Sequence, residues 1–152
     1  MKKRLEYGSQ FPKGIKGLLE IEKFVNNSVL DPVIFELVKM RASQINKCAY
    51  CLDMHSKDAR AAGETEQRLY LLNAWREAPF YSEKERAALE WTEALTLIHQ
   101  NEISDEFYKE IKKHFDDEEM MALTMTIVAI NGWNRLSIAF GTEVGTYQSP
   151  KI

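Results

Sequence analysis

Residues 31–63 read DPVIFELVKMRASQINKCAYCLDMHSKDARAAG, and they contain the two helices on which the fold prediction rests. Asp31 followed by Pro32 is a helix start signal, an N-cap acceptor before proline at the first helical position. The helix that it opens, about residues 32–46, carries apolar residues over most of its circumference, which predicts that it is buried. A second helix follows and should end at Gly63, a residue typical of helix C-termini.

Helical periodicity continues on both sides of this stretch, and the chain has only four prolines and seven glycines to interrupt it. Candidate N-caps and capping boxes mark the later helix starts, at Thr65, Ser82 with Glu85, Ser104 or Asp105, and Asp116 with Glu119. No alternating strand pattern of useful length is visible. We therefore predict an all-α fold, with residues 5–140 as a single-domain bundle of about six to seven helices that assembles through helical interfaces. Residues 141–152 should form a loosely ordered tail.

Composition limits the class of protein. The 152 residues carry 20 basic and 23 acidic side chains, a net charge of -3 with no concentrated basic patch, so we expect no nucleic-acid partner. The longest uncharged apolar stretch, residues 120–130, is too short to span a bilayer. The basic start at residues 1–4 has no apolar core after it and is not a secretory signal. These features predict a soluble cytoplasmic protein.

Both cysteines of the chain lie in one short run, with a histidine four residues after the second. On a helix of about 100° per residue, Cys51 lies ~60° and His55 ~20° from Cys48, so the three side chains share one stripe. Cys48 should lie at or before the start of this helix and Cys51 in its first turn, where amide donors and the helix dipole favour a thiolate. His55 lies one turn beyond Cys51, within hydrogen-bond reach of its sulfur. In a reducing cytosol such a pair indicates redox catalysis or metal binding rather than a structural disulfide.

Other interpretations of the cysteine pair compete with redox catalysis. Buried packing without chemistry is common for one cysteine but improbable for this spacing. Zinc needs two further ligands, and His55 with Glu36 would complete a Cys/Cys/His/Glu set. Haem attachment requires histidine directly after the second cysteine, where Leu52 stands, and a thioredoxin-type motif requires strands that the pattern lacks. We expect no bound metal and no cofactor.

A comparison of the rate gain from thiolate formation with that from proton delivery indicates the role of His55. Lowering a thiol pKa from ~8.5 to ~6.5 raises the thiolate fraction at pH 7 from about 3% to about 75%. Nucleophilicity falls roughly six- to tenfold at the same time, so the net gain is only about three- to fourfold. Proton delivery to a leaving oxygen contributes on the order of 10²–10⁴-fold. His55 therefore matters more as a proton carrier than as an activator of the thiol.

Glu36 is a further candidate because it is an acid on a mostly apolar helix, and buried carboxylates are rare without partners. The alternative is a salt bridge with Lys39 or Arg41, or a solvated helix edge. Asp58, one turn beyond His55, is a possible orienting group or a solvent-facing acid. Tyr50 is a phenolic donor or a packing residue.

With Glu36, Cys48-x-x-Cys51 and His55 at this spacing, the chain resembles the alkylhydroperoxidase D-like branch of the carboxymuconolactone decarboxylase family. The later helix with Asn131 and Asn134-Arg135 also resembles that family. Better-known peroxidase members often carry a histidine just before the second cysteine, where this chain has Tyr50.

The resemblance implies a helical fold assembled as trimers or hexamers and a thiol peroxidase for hydroperoxides. It assigns Cys51 as the peroxidatic thiol, Cys48 as the resolving thiol, and His55 with Glu36 as a proton relay. An external dithiol of unknown identity would supply electrons. Two alternatives stay open: a disulfide reductase or redox sensor with weak peroxidase activity, and a non-catalytic metal-binding or interaction module.

Overall fold

The computed structural model describes residues 2–150, so Lys151 and Ile152 of the predicted tail lie outside the described residues. Within that range the chain forms eight α-helices, one 3₁₀-helix and no β-strand, which confirms the all-α prediction. The helix count is close to the predicted six to seven, and the short α1 is the element that periodicity did not reveal. In chain order the elements are α1 Tyr7–Gln10, α2 Pro12–Asn26, α3 Pro32–Asn46, α4 Ala49–Ala61, α5 Glu66–Leu71, the 3₁₀-helix Leu72–Ala74, α6 Glu83–Thr96, α7 Asp105–Lys112 and α8 Asp117–Phe140.

Side-chain caps begin most of the long helices. Asp31 accepts hydrogen bonds from the backbone N–H groups of Val33 and Ile34, directly before Pro32 at the first position of α3. Both predicted capping boxes are present, at the starts of α6 and α8. Each such cap stabilises its helix by about 1 kcal/mol. The local start signals read from the sequence are therefore confirmed.

The helix α3 lies at the centre of the bundle, in contact with α4, α6 and α8. Ile34, Leu37, Val38 and Met40 are buried on different sides of it. One apolar cluster joins α3 to α6, α7 and α8, and another joins it to α4, α5 and α6. Because α3 is covered on most of its circumference, its neighbour α4 is held at a defined position, and α4 carries the cysteines.

The described part of the tail lies against α4. Residues 142–150 contain no helix or strand. The Gly145 N–H donates to Asp53 Oδ2 over 3.1 Å, and Lys57 Nζ donates to the Tyr147 carbonyl over 2.9 Å. These hydrogen bonds attach the segment 145–147 to the helix that carries the cysteines.

Among residues 2–150, no helix combines the length with the hydropathy that crossing a membrane requires.

Candidate active site

The two cysteines lie at the N-terminal end of α4 and form a disulfide bond, with Cα atoms 5.4 Å apart. Cys48 is the N-cap residue, and its Sγ accepts a hydrogen bond of 3.4 Å from the Cys51 backbone N–H. The predicted position of the pair, one cysteine at the helix start and one in the first turn, is the position observed. First-turn amides and the helix dipole stabilise a negative sulfur at this place once the bond is reduced.

The two sulfurs have different surroundings. Cys51 lines a cavity of about 390 Å³, whereas Cys48 does not line it. Both sulfurs belong to a small apolar cluster with Ala42 and Ile130, and the difference between them is that Cys48 has no part in the cavity wall. A ligand in the cavity therefore meets Cys51 first, and Cys48 lies behind it.

A network of amide side chains fastens the turn that precedes the cysteines. Lys47 ends α3 in the left-handed conformation, with φ of 58°. The preceding Asn46 donates from Nδ2 to Asn134 Oδ1 over 2.8 Å, and Asn134 Nδ2 donates to Ser43 Oγ over 3.0 Å. The Ser43 carbonyl in turn accepts the Cys48 N–H at 3.0 Å. Since Asn134 is fully buried, these bonds hold the start of α4 against α3 and α8.

His55 and Glu36 form a pair in the wall of the cavity. Nδ1 of the imidazole lies 3.0 Å from Glu36 Oε2, and both residues line the cavity together with Cys51. His55 is 7% exposed, so its ring is held by packing as well as by the carboxylate. With Nδ1 engaged by Glu36, Nε2 is the nitrogen available to exchange a proton inside the cavity. In this disulfide form the hydrogen bond of His55 runs to Glu36 rather than to the Cys51 sulfur.

Lys39 and Arg41, the basic residues that the sequence suggests as salt-bridge partners of Glu36, pair with other carboxylates. Lys39 Nζ lies 2.5 Å from Glu22 Oε1, and the Lys39 side chain is 3% exposed. Arg41 pairs with Glu93 at 2.7 Å. The alternative in which Glu36 binds Lys39 or Arg41 is therefore wrong.

A second acid, Asp58, lines the same cavity and is bound by a residue that the sequence pattern does not single out. Tyr147 Oη donates to the two Asp58 carboxylate oxygens over 2.8 and 3.0 Å. Burial, followed by the hydrogen bond to Asp58, raises the pKa of Tyr147 far above its ordinary value. Tyr50 also lines the cavity, and burial raises the pKa of its phenol. Both phenols therefore stay protonated at neutral pH and can donate hydrogen bonds.

The acids and the histidine could hold a cation. The ligating atoms of Glu36, His55 and Asp58 lie within 4.8 Å of one another. The Cys/Cys/His/Glu zinc site considered in the sequence analysis also requires both cysteine sulfurs as ligands. In this form the two sulfurs are bonded to each other. Such a zinc site would require the reduced pair, because zinc binds thiolates.

Comparison with known proteins covers nearly the whole chain. The model of the carboxymuconolactone decarboxylase family matches residues 10–94. The uncharacterized protein YdfG of Bacillus subtilis is 44% identical over 146 residues, which are 96% of this chain and 99% of that protein. A crystal structure from Agrobacterium tumefaciens has a TM-score of 0.91 at 39% identity, and the match covers 96% of this chain and 100% of that chain. That structure is described as a protein of unknown function assigned provisionally to antioxidant defence as AhpD.

The chain belongs to the carboxymuconolactone decarboxylase family, within its alkylhydroperoxidase D-like branch. A crystal structure from Ralstonia eutropha JMP134, described as an alkylhydroperoxidase AhpD core and peroxidase-related protein, shares the fold with a TM-score of 0.77. That match is 16% identical and covers 90% of this chain and 73% of the other. The family resemblance predicted from the sequence is confirmed.

Proposed function

We propose that this protein is a thiol-dependent peroxidase that reduces hydrogen peroxide or organic hydroperoxides through a Cys51–Cys48 dithiol cycle. One observation carries the proposal: Cys51 lines a cavity whose wall also contains the paired His55 and Glu36. A nucleophile and a proton carrier thus face one space, as covalent catalysis requires. The family relationship supports the same conclusion.

In the first step the Cys51 thiolate attacks the terminal oxygen of the hydroperoxide. The sulfur–oxygen bond forms as the oxygen–oxygen bond breaks, and the sulfur is oxidised to a sulfenic acid. The alkoxide or hydroxide that leaves takes one proton and departs as an alcohol or as water. His55, with Glu36 on its other nitrogen, is the group placed to deliver that proton.

Cys48 then attacks the Cys51 sulfenic acid. A disulfide bond forms, the sulfur–oxygen bond breaks, and the oxygen leaves as water after taking the Cys48 proton. An external dithiol reduces this disulfide in two exchange steps and becomes a disulfide itself, which returns both thiols. The disulfide between Cys48 and Cys51 is the oxidised product of this cycle.

The cavity supports an organic peroxide as one substrate class. Its volume of about 390 Å³ lies within the range of small-molecule sites. Apolar side chains contribute much of the wall and can cover a hydrocarbon group, namely Phe35, Met54, Ile130 and Trp133. Hydrogen peroxide would fill little of this space, so the larger substrates gain contacts that it lacks.

The proposal includes a cytoplasmic, oligomeric protein. Exposed apolar side chains on α2 and α8 support assembly through helical interfaces, as in a trimer or hexamer, and they include Leu19, Phe24, Met121 and Val128. The second candidate function is a disulfide reductase or redox sensor. The disulfide between Cys48 and Cys51 also favours this function, because reductases and sensors of this kind cycle between a dithiol and a disulfide.

A single-turnover stopped-flow experiment tests the function. The reduced protein is mixed with hydrogen peroxide, tert-butyl hydroperoxide, cumene hydroperoxide or a small disulfide, and oxidation of the pair is followed at each concentration. We expect faster oxidation by a hydroperoxide than by the disulfide, and Cys51→Ser should abolish it. Hydroperoxide reduction by Cys51→Ser at the wild-type rate would refute the proposal. Faster reaction with the disulfide would favour the reductase.

A further inference from the structure

The segment 145–147 reaches the cavity beside the cysteine pair. Tyr147 Oη binds both oxygens of Asp58, although 89 residues separate the two in the chain. The backbone of the segment is held independently, by Asp53 at the Gly145 N–H and by Lys57 at the Tyr147 carbonyl. The phenol is therefore presented to Asp58 by a docked backbone, and loss of its hydroxyl alone leaves those two anchors in place.

Asp58 is the point at which this segment meets the proton relay. One ligating atom from each of Glu36, His55 and Asp58 lies within 4.8 Å of the others. The imidazole thus lies near two carboxylates that come from different helices. Glu36, on α3, forms a direct hydrogen bond with the imidazole. Asp58 lies on α4, the same helix as His55, and is bound by Tyr147.

We propose that Tyr147 is a positioning residue of the active site, whose hydroxyl holds the Asp58 carboxylate beside His55 and disperses its negative charge. The segment 145–147 thereby sets the charge that the reacting sulfur of Cys51 experiences. This inference rests on the proposed function for the reaction that the site serves. The contacts themselves are independent of the substrate.

Electrostatics give the direction of the effect. A negative charge near the sulfur disfavours the thiolate, and a hydrogen bond donated to that charge weakens its influence. The Tyr147 hydroxyl is the donor in both contacts, because an ionised carboxylate only accepts hydrogen bonds. Removal of the hydroxyl exposes the full charge of Asp58, whereas neutralisation of Asp58 removes that charge.

The other charged side chains in the cavity wall have partners. Glu22 and Lys39 pair with each other, and Glu36 pairs with His55. The phenol of Tyr50 has a raised pKa. Tyr7 comes from α1, and the lining residues of α8 do not titrate. Asp58 is therefore the carboxylate in this wall whose hydrogen bond comes from the segment 145–147.

The test measures alkylation of the reduced protein by iodoacetamide as a function of pH, in Cys48→Ser backgrounds so that Cys51 alone reacts. The variants are Tyr147→Phe, Asp58→Asn and the double substitution. Tyr70→Phe is the matched control, because its exposed hydroxyl also donates to a carboxylate, Glu66, away from the cavity. No peroxide is present, so the result does not depend on peroxidase activity.

We expect the midpoint of the pH–rate profile to rise in Tyr147→Phe and to fall in Asp58→Asn, each by about 0.5–1 pH unit. The double variant should match Asp58→Asn, because Tyr147 acts through Asp58. The control should leave the midpoint unchanged. An unmoved midpoint in Tyr147→Phe, with or without a loss of thermal stability, would overturn the inference. A shift without any hydroperoxide reduction by the wild type would instead refute only the peroxidase proposal.

Discussion

Glu36 on α3 and His55 on α4 lie 19 residues apart in the chain and meet with Oε2 and Nδ1 separated by 3.0 Å. The carboxylate engages Nδ1 of the imidazole and leaves Nε2 as the nitrogen that can exchange a proton. Two helices must therefore pack at a defined register before the proton carrier is complete.

Replacement of Glu36 by glutamine should lower the rate of Cys51 oxidation by about tenfold or more, because a neutral amide stabilises the imidazolium poorly. Single-turnover oxidation by a hydroperoxide measures the effect. Glu20→Gln, an exposed change on α2, is the control and should keep the wild-type rate. Equal rates for the two variants would show that Glu36 takes no part in proton delivery.

Replacement of Cys48 by serine should separate the first turnover from recycling. Cys51 still faces the cavity, so one equivalent of hydroperoxide is reduced per chain and a sulfenic acid accumulates. Trapping with dimedone and mass spectrometry detects that species, and steady-state turnover with a dithiol should be lost. Sustained turnover at the wild-type rate would contradict the assignment of Cys48 as the resolving thiol.

Replacement of Asn134 by alanine should destabilise the protein by about 2–4 kcal/mol, because it removes the hydrogen-bond partner of the buried Ser43 hydroxyl and creates a small cavity. Urea denaturation measures the change in the free energy of unfolding. Asn101→Ala removes an exposed amide that bonds to the Leu97 carbonyl and is the control. A loss no larger than that of the control would mean that the amide network does not fasten the turn before Cys48.

The free energy of unfolding should depend on pH in part through the carboxyl group of Glu93. Burial alone would raise the pKa of this carboxyl, but hydrogen bonds from Trp75 and Arg76 and the charge of Arg41 hold it below its ordinary value. A lowered folded-state pKa contributes stability that is present above about pH 4.5 and is lost as pH falls through the folded-state value.

Glu93→Gln should therefore be less stable than the wild type at pH 7, and this difference should shrink as pH falls below about 4.5. Denaturation at a series of pH values measures it. The rate of Cys51 alkylation provides the control, since Glu93 does not line the cavity and should leave that rate unchanged. A difference in stability that stays constant down to pH 2 would contradict the assigned direction.

Local sequence patterns predict the starts of the helices well, because the residues of an N-cap or capping box lie within one helical turn. The predicted helix over residues 32–46 matches α3, and the capping boxes begin α6 and α8 as expected. Helix ends are less well predicted: the sequence pattern that opens at Ser82 predicts a helix to about residue 99, whereas α6 ends at Thr96. The end of a helix depends on what its last turn packs against, and that information lies elsewhere in the chain.

By itself, the sequence determined the all-helical class and the placement of Cys51 and His55 one turn apart on one face of a helix, because both follow from the 3.6-residue period within single helices. Only the tertiary structure decided that Glu36 pairs with His55, that Cys51 rather than Cys48 faces the cavity, and that Tyr147 reaches Asp58. Each of these contacts joins elements whose relative placement is set by side-chain packing across the bundle, which the local sequence pattern does not specify.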